Sequence, residues 1–540
     1  MGNIYSLAST LIIWLGPEDS NSTHALSTLQ YFAEQVEFTV NECIGDAPGA
    51  VEQSWWNAEV PLPYDSTTWS SLIELFNRPW FKRVWVLQEA LLARQAIVQC
   101  GDYVISWPLL RRAIIVLAEK VSLPTELFEA LGSYRIALLN RTNWSLPRLL
   151  QWGSFRQCTD PRDKVYGISS LLSPSLSGSI SVDYALEMSR VYLDATILHI
   201  NTVQRLSLLR YCRIENRITD CPSWVLNWAS ETSSFFGFRK GHARQASGYS
   251  SSHAKFQAPG ALEILGIHCG TVSFVEHICC GDAKDAFQAI RRCELEGLLV
   301  DDYVGGGSLF DAFLEVITKG RTRDRFPNIP PFPKIEELQK GYRAIIFGNS
   351  SLGTLLEYFK EELKSEDTWF FSTQEGYLGV TQSEVIEGKF CYRAYLEIAK
   401  LVGDTLCVAL GCDYPLLLRP LPSGDYILVS QCFVHGLMDG ERLLGSLPDF
   451  WTLRMLADAD GREVPCYFHG ETKKLTRNDP RLPSLSSEWE RVQRRHTQDD
   501  PSFFQDYRNK ATGKILNFDP RMTPDALTQR GVSLKTFRLV

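Results

Sequence analysis

Leu11–Gly16 of "TLIIWLG" is a short β-rich apolar run stopped by Gly16-Pro17. Its length and branched side chains predict a buried strand. "MGNIYSLAST" before it reads as the tail of a helix leading into that strand. After it, Ala25, Leu26, Leu29 and Phe32 recur at helical spacing, with Ser20 or Asn21 as the N-cap. A loop rich in Trp, Pro and acids, "SWWNAEVPLPYDSTTW", leads to a short amphipathic turn over Ser70–Phe76. Pro79 suits a first helical turn and predicts a helix running to about Ala93. "QAIVQCG" predicts a second strand, closed by Gly101-Asp102. Strand, helix, helix, strand is the order of a layered α/β unit.

From Pro108 to about Leu172 the pattern is helical, and Thr159 or Asp160 can cap a helix that Pro161 starts. Met188, Val191, Tyr192, Ala195 and Leu198 mark one side of a further helix. "CPSWVLNW" follows, then a loop rich in Ser, Gly and aromatics. Period-two alternation begins near Leu262 and predicts a strand pair across Gly270. A charged helical stretch interrupts the strands. They return at "TWFFSTQEGYLGVT", "DTLCVALGC", "PLLLRPL" and "YILVSQCFVHGLMDGE". Short strands at close spacing with Gly turns predict a small barrel or sandwich. A polar tail starts near Glu471 and ends in a helix capped by Thr523 and a strand. No internal repeat is expected.

The fold class is therefore α/β plus α+β. The expected divisions are a partial α/β domain with its helical extension (1–172), a helical connector (173–255), a discontinuous β-domain with a helical insert at about 283–365 (256–470), and a tail (471–540).

Composition narrows the function classes. Over 540 residues the net charge is −8, which argues against a nucleic-acid partner. Fourteen cysteines with no CxxC pair fit reduced thiols in the cytoplasm. The cluster of His268, Cys269, His277, Cys279 and Cys280 matches no zinc spacing and reads as core thiols on strands, so no metal is expected. No apolar run approaches a membrane span. Phosphate loops, GxGxxG and GxSxG motifs are absent, so the residues alone imply no cofactor.

The densest chemistry is "FNRPWFKRVWVLQEALLARQAIVQCGD", Phe76–Asp102. On one continuous helix, Trp80, Val84, Leu87 and Leu91 form a core stripe, and Phe81, Trp85, Glu89 and Leu92 form its neighbour. Glu89 then lies beside Trp85, with Arg83 on another side and Arg78, Arg94 or a group from another segment to meet it. Two readings stay open. Glu89 is a positioned carboxylate, with Arg78, Trp80, Arg83, Trp85 and Gln88 around a pocket. It could then bind a ribose hydroxyl or stabilise an oxocarbenium-like transition state, with burial tuning its pKa. Alternatively it is a structural ion pair or cap.

Other motifs read as structural. Asp160 caps, Pro161 starts a helix, and Arg162 or Asp163 ties it to a neighbour. Trp224 and Trp228, four apart after Pro222, pack as one aromatic wedge. Asp439-Gly440 signals a turn, with Gly436 and Glu441 in the same motif and His435 in a turn or the core. Trp14 and Gly16 belong to the first strand and its stop.

The blocks "LIIWLGPED", "RPWFKRVWVLQEALLARQAIVQCGD", "CTDPRDKVYGISSLL", "CPSWVLNW", "GDTLCVALGCDYPLLLRP", "VHGLMDGE" and "DPRMTPDALTQRGVSLKTFRLV" occur in this order. Together they resemble the fungal heterokaryon incompatibility (HET) domain proteins. The first three resemble the second half of the HET domain, and the rest resemble the region that commonly follows it. The resemblance implies fungal non-self recognition, an innate immunity in which fusion of unlike individuals triggers programmed cell death. It implies binding or oligomerisation, with other incompatibility proteins or with self. It also implies a partial fold of the Toll/interleukin receptor-like (TIR), flavodoxin-like kind. Some members of that wider group cleave NAD with a catalytic glutamate. Here that would make Glu89 the catalytic residue of an NAD glycohydrolase and NAD its substrate. The family's "ALSYxWG"-like strand and "WIDxxCINQ"-like block are missing, and Met1–Tyr5 aligns just after them. The domain thus reads as lacking its front, and an inactive truncated paralogue is a further alternative. Asn227 stands where an Asp is common.

Overall fold

The structure, a computed structural model, describes residues 2–38, 44–128, 130–131, 146–154, 156–172, 174–229, 244–278, 283–320, 335–346, 367–383, 385–386, 389–390, 398–457, 463–492 and 505–540. The chain forms two compact units, Met1–Val191 and a second running from Tyr192 to Val540. Cys279 and Cys280 lie outside the described residues, as do parts of the expected loop after Trp228 and of the helical insert. No helix among the described residues is long and apolar enough to cross a membrane.

In the first unit, helix α1 (Gly2–Leu7) leads into strand β1 (Leu11–Trp14). Helices α2 (Ser22–Gln35), α3 (Ser66–Phe76), α4 (Pro79–Lys82) and α5 (Val86–Leu92) follow, then β2 (Ala96–Cys100), β3 (Tyr103–Ser106) and α6 (Trp107–Leu117). Asp65 caps α3 by accepting from the Thr68 amide at 2.8 Å. β1 pairs with β2 in parallel, Leu11 opposite Ala96 through Trp14 opposite Gln99. β2 and β3 form an antiparallel hairpin. The Gly101-Asp102 stop is therefore a hairpin turn, and β3 is a strand that the sequence pattern leaves unassigned. Gly101 has φ +55, and a Cβ there would meet the Glu18 Cβ at 2.6 Å, so the turn requires glycine. The core is built from Ala25, Leu26, Leu29 and Phe32 of α2 against Val98, Leu110 and Ile114.

β1 is not the buried strand expected. Ile13 and Leu15 are buried, but Ile12 and Trp14 are 57% and 52% exposed. Parallel strands are normally covered on both faces; β1 is covered on one.

Helices α7 (Leu146–Ser154) and α8 (Asp163–Ser169) complete the helical region, and α9 (Met188–Val203) carries the division between units.

The second unit is organised by β4 (Ala261–Ile278), one strand of 18 residues. The expected strand pair across Gly270 is thus a single strand serving two sheets. Gly270 marks the handover. A Cβ there would lie 2.4 Å from the Glu375 carboxylate, which accepts from the Thr271 amide at 2.8 Å. The absent side chain admits that contact. Beyond Gly270, β4 pairs with β5 (Asp367–Thr373), which pairs with β6 (Leu378–Ser383). Before Gly270 it belongs to a five-stranded barrel with β7 (Thr405–Ala409), β8 (Leu416–Pro420), β9 (Tyr426–Gln431) and the C-terminal Lys535–Leu539. The expected barrel is therefore present. Its last stave comes from what reads locally as a tail.

The interrupting segment is not a polar insert throughout. It contains α10 (Ala283–Arg292), α11 (Leu309–Ile317) and α12 (Ile335–Ile346). Phe310, Phe313, Leu314 and Ile317 of α11 are all buried in the main core, and each contributes about 1.5–3 kcal/mol. Ser308 caps this helix by accepting from the Asp311 amide.

After the barrel strands come two small antiparallel meanders. The first joins β10 (Trp451–Ala457), β11 (Glu463–His469) and β12 (Leu475–Thr476). The second joins β13 (Trp489–Val492), β14 (Asp506–Asn509) and β15 (Ile515–Leu516). The closing stave is β16 (Lys535–Leu539).

Of the ten described cysteines, nine are buried and Cys158 is half-buried. Burial pushes the Cys269 and Cys412 thiols up to about 12, and only a thiolate reacts readily. Brief alkylation of the native protein is expected to modify Cys158 well ahead of these nine. Peptide mass spectrometry checks this, and equal rates at the buried thiols would contradict the packing.

Candidate functional site

The helix expected from Pro79 to Ala93 is broken. Arg83 is extended, with φ −80 and ψ 141. It forms a parallel bridge with Gln157, whose amide donates to the Lys82 carbonyl at 2.6 Å and whose carbonyl accepts from the Val84 amide at 3.0 Å. Backbone groups that would have continued the helix are paired there instead. The break re-aims every side chain after Lys82, so the two stripes expected on one helix do not exist.

Glu89 sits on α5, and its side chain is 14% exposed. Its Oε2 accepts from the Trp80 indole Nε1 at 3.0 Å, and its Oε1 faces the Arg83 guanidinium at 3.8 Å. The expectation of Arg83 turned away is corrected, while the Glu89 amide still donates to the Trp85 carbonyl at 3.3 Å in the first turn of α5. Tyr5 of α1 lies close by. Burial pushes its phenol up, and the Glu89 charge adds to that rise. Arg78 is elsewhere. It donates to the carbonyls of Leu15 and Pro17 at 2.9 and 3.0 Å and to Asp19 and Ser22 at 2.6 Å. Arg78 thus clamps the bend after β1, where Gly16 adopts φ +107.

Trp85 donates to Asp163 at 3.1 Å, and Tyr184 donates to the other oxygen of that carboxylate at 2.6 Å. Gln88 is fully buried and donates to the Tyr166 carbonyl at 3.0 Å, while its Oε1 has no partner among the described residues. Of the grouped candidates, Trp80, Arg83 and Glu89 meet. Arg78, Trp85 and Gln88 each serve a different contact.

Asp160 does not cap the helix directly. Asp160-Pro161-Arg162 folds as a turn ahead of α8, in which Asp160 accepts from the Arg162 amide at 2.9 Å and from its guanidinium at 2.9 and 2.6 Å. The Arg162 guanidinium holds Asp160 below the usual carboxylate range. Arg162 then reaches the carbonyls of Tyr184 and Leu186.

The same turn recurs twice in the second unit. Asp479 accepts from the Arg481 amide and guanidinium at 3.0, 2.9 and 2.7 Å, and Asp519 does so from Arg521 at 2.9, 2.9 and 2.6 Å. Tyr467 and Tyr507, on the middle strands of the two meanders, donate to these aspartates at 2.8 and 2.9 Å. The segments "YFHGETKKLTRNDPR" and "YRNKATGKILNFDPR" are thus two copies of one strand–turn–clamp unit. The expectation of no internal repeat is overturned. The triplet Asp-Pro-Arg at matched distance from a tyrosine is the signal that would have found it.

Trp224 and Trp228 are both buried but do not form one wedge. Residues 222–228 are irregular and not helical, so a spacing of four gives them no common face. Trp224 donates to the Gly260 carbonyl at 3.0 Å and packs edge-on to Phe256, whereas Trp228 packs against Tyr192. Pro222 lies against Gly260. Asn227 donates to the Asn216 carbonyl and accepts from the Ala229 amide. Gly436 and Gly440 are left-handed, as tight turns require. Glu441 accepts from the Asp439 amide at 2.6 Å, and burial beside the Asp439 charge raises its pKa. The Arg481 guanidinium donates to the Asp439 carbonyl at 2.9 Å, which joins this motif to the first meander.

Residues 1–89 match the sequence model of the heterokaryon incompatibility protein (HET) family, a match that ends at Glu89. The N-terminal segment is thus similar to the heterokaryon incompatibility (HET) family. The chain is similar to heterokaryon incompatibility protein 6, OR allele, of Neurospora crassa, with 24% identity over 550 residues covering 82% of this chain and 78% of that protein. No solved structure matches the chain significantly.

Proposed function

We propose that this chain is a cytoplasmic fungal non-self-recognition protein that transmits programmed cell death by self-association through the open side of β1. One observation carries the reading. β1 has a strand neighbour on one edge only among the described residues, and its outer face is apolar and exposed at Ile12 and Trp14. The Leu11 and Leu15 amides donate to Gln95 and Gln99 of the β2 side. Alternation therefore turns the backbone groups of Ile12 and Trp14 toward the open edge. Leu11–Gly16 contains no charge and no proline, the usual devices that block edge pairing. A neutral, apolar edge matches a second copy of itself. Two β1 strands paired antiparallel about a two-fold axis would extend both sheets. The parallel β1–β2 pair with its helices supports a TIR- and flavodoxin-like arrangement for this unit.

A second reading, NAD cleavage at Glu89, is favoured by the carboxylate geometry. Among the described residues Oε1 is held only by the ion pair to the half-exposed Arg83, so a ribose hydroxyl could replace it. Glu89→Gln separates the two readings cleanly because it keeps an acceptor for Trp80. It loses only a solvent-screened ion pair, worth about 1 kcal/mol or less.

Trp14→Lys is expected to abolish self-association in analytical ultracentrifugation and to abolish cell death in mixed heterokaryons, while Glu89→Gln preserves both. If Trp14→Lys leaves association and death intact, the binding reading fails. If Glu89→Gln abolishes death together with NAD loss, the enzyme reading replaces it.

A further inference from the structure

We propose that the second unit binds a small aliphatic polyamine in the cavity between the segment 295–309 and strands β5 and β6. The cavity has a volume of about 540 Å³, within the range of small-molecule sites. Leu295, Leu309 and Leu378 supply an aliphatic floor, and Glu296, Asp301 and Asp302 supply the rim.

These three carboxylates take no ion pair and no side-chain hydrogen bond among the described residues. Nearby acids differ. Glu294 is held by Arg291 at 3.1 Å and by Tyr342 at 2.7 Å, and Glu276 is held by Arg292 at 2.6 Å. The rim is thus unneutralised where its surroundings are paired. A second observation is independent of charge. Ser372, on β5 opposite Leu378, is 7% exposed and lines the cavity, and its hydroxyl has no hydrogen-bond partner among the described residues. The residue is buried apart from what it presents to the cavity, so a ligand there can supply the missing partner.

The geometry selects the ligand class. No three His, Cys, Asp or Glu side chains among the described residues converge as a metal site. Three acids spread along a rim suit separated cationic groups rather than one compact ion. Methylene chains between ammonium groups would cover the leucine floor, where buried apolar area is favourable. The ammonium ends would meet the rim and the Ser372 hydroxyl as charge-assisted hydrogen bonds. The site is preformed. The Tyr303 hydroxyl donates to the His435 carbonyl at 2.9 Å and accepts from the Leu378 amide at 3.0 Å, which fixes the rim segment to β6.

The test is calorimetric titration of the full chain with spermidine. One saturable site is expected. Asp301→Asn combined with Asp302→Asn should weaken it at least about tenfold, and Ser372→Ala should weaken it several-fold. The rim aspartates are exposed, so the double variant should melt with the parent protein. No saturable binding, or unchanged affinity in the double variant, would overturn the proposal. Displacement by magnesium chloride at equal charge would also overturn it, since that shows diffuse attraction only. Tighter binding of a lysine-rich peptide would replace the small-molecule assignment.

Discussion

A chain ending at Leu534 will not fold its second unit. The removed strand, β16, pairs with β4 from Lys535 opposite Gly266 to Leu539 opposite Leu262, and with β9 at Tyr426. Phe537 and Leu539 are buried in the barrel, each contributing about 1.5–3 kcal/mol. The Val540 carbonyl accepts from the Ser223 amide and hydroxyl at 3.0 and 2.6 Å, and its amide donates to Tyr426 at 2.9 Å. Loss of the strand opens the barrel and leaves the edges of β4 and β9 unpaired. With ladder hydrogen bonds at about 0.5–1.5 kcal/mol each, the total is comparable to the whole net stability of a domain, about 5–15 kcal/mol. Limited proteolysis should then degrade residues after Tyr192 rapidly while fragments of the first unit persist. A truncated chain that unfolds at the same denaturant concentration as the full chain would show that the barrel does not depend on this stave.

Asp413→Ala will destabilise the second unit by about 3–5 kcal/mol, because it strips the carboxylate from a guanidinium with no solvent access. The Arg205 side chain is fully buried, ion-pairs with Asp413, and donates to the Ser250 carbonyl at 2.7 Å. The pair holds the chain after α9 to the turn between β7 and β8. A buried charge without its counter-charge keeps its full desolvation cost. The double variant Arg205→Met with Asp413→Leu should recover most of the loss, since it removes both charges together. Denaturant unfolding of the three proteins measures this. A cost below about 1 kcal/mol in Asp413→Ala would mean that water or another group compensates the charge.

Much of the fold was legible where local chemistry decides it. The apolar run before Gly16-Pro17, the spacing from Ala25 to Phe32 and the alternation in the barrel strands each led to a real element, because side-chain periodicity follows directly from backbone geometry. The candidate site was less legible. Glu89, Trp80 and Arg83 were singled out by residue type, but their mutual arrangement was misread. The stripe argument assumed an unbroken helix, and the break at Arg83 comes from hydrogen bonds to Gln157.

Sequence alone determined the family resemblance and the start and stop signals; the Asp-Pro-Arg clamps, whose partners lie two residues apart, are equally local but read as a helix cap. Only the tertiary structure decided which stretches paired. It made β4 one strand shared by two sheets, drew the C-terminal residues into the barrel, buried α11, and left one face of β1 exposed. Strand pairing is set by contacts between residues remote in the chain. A β pattern states that a strand needs a neighbour and which of its faces is apolar; it does not name the neighbour.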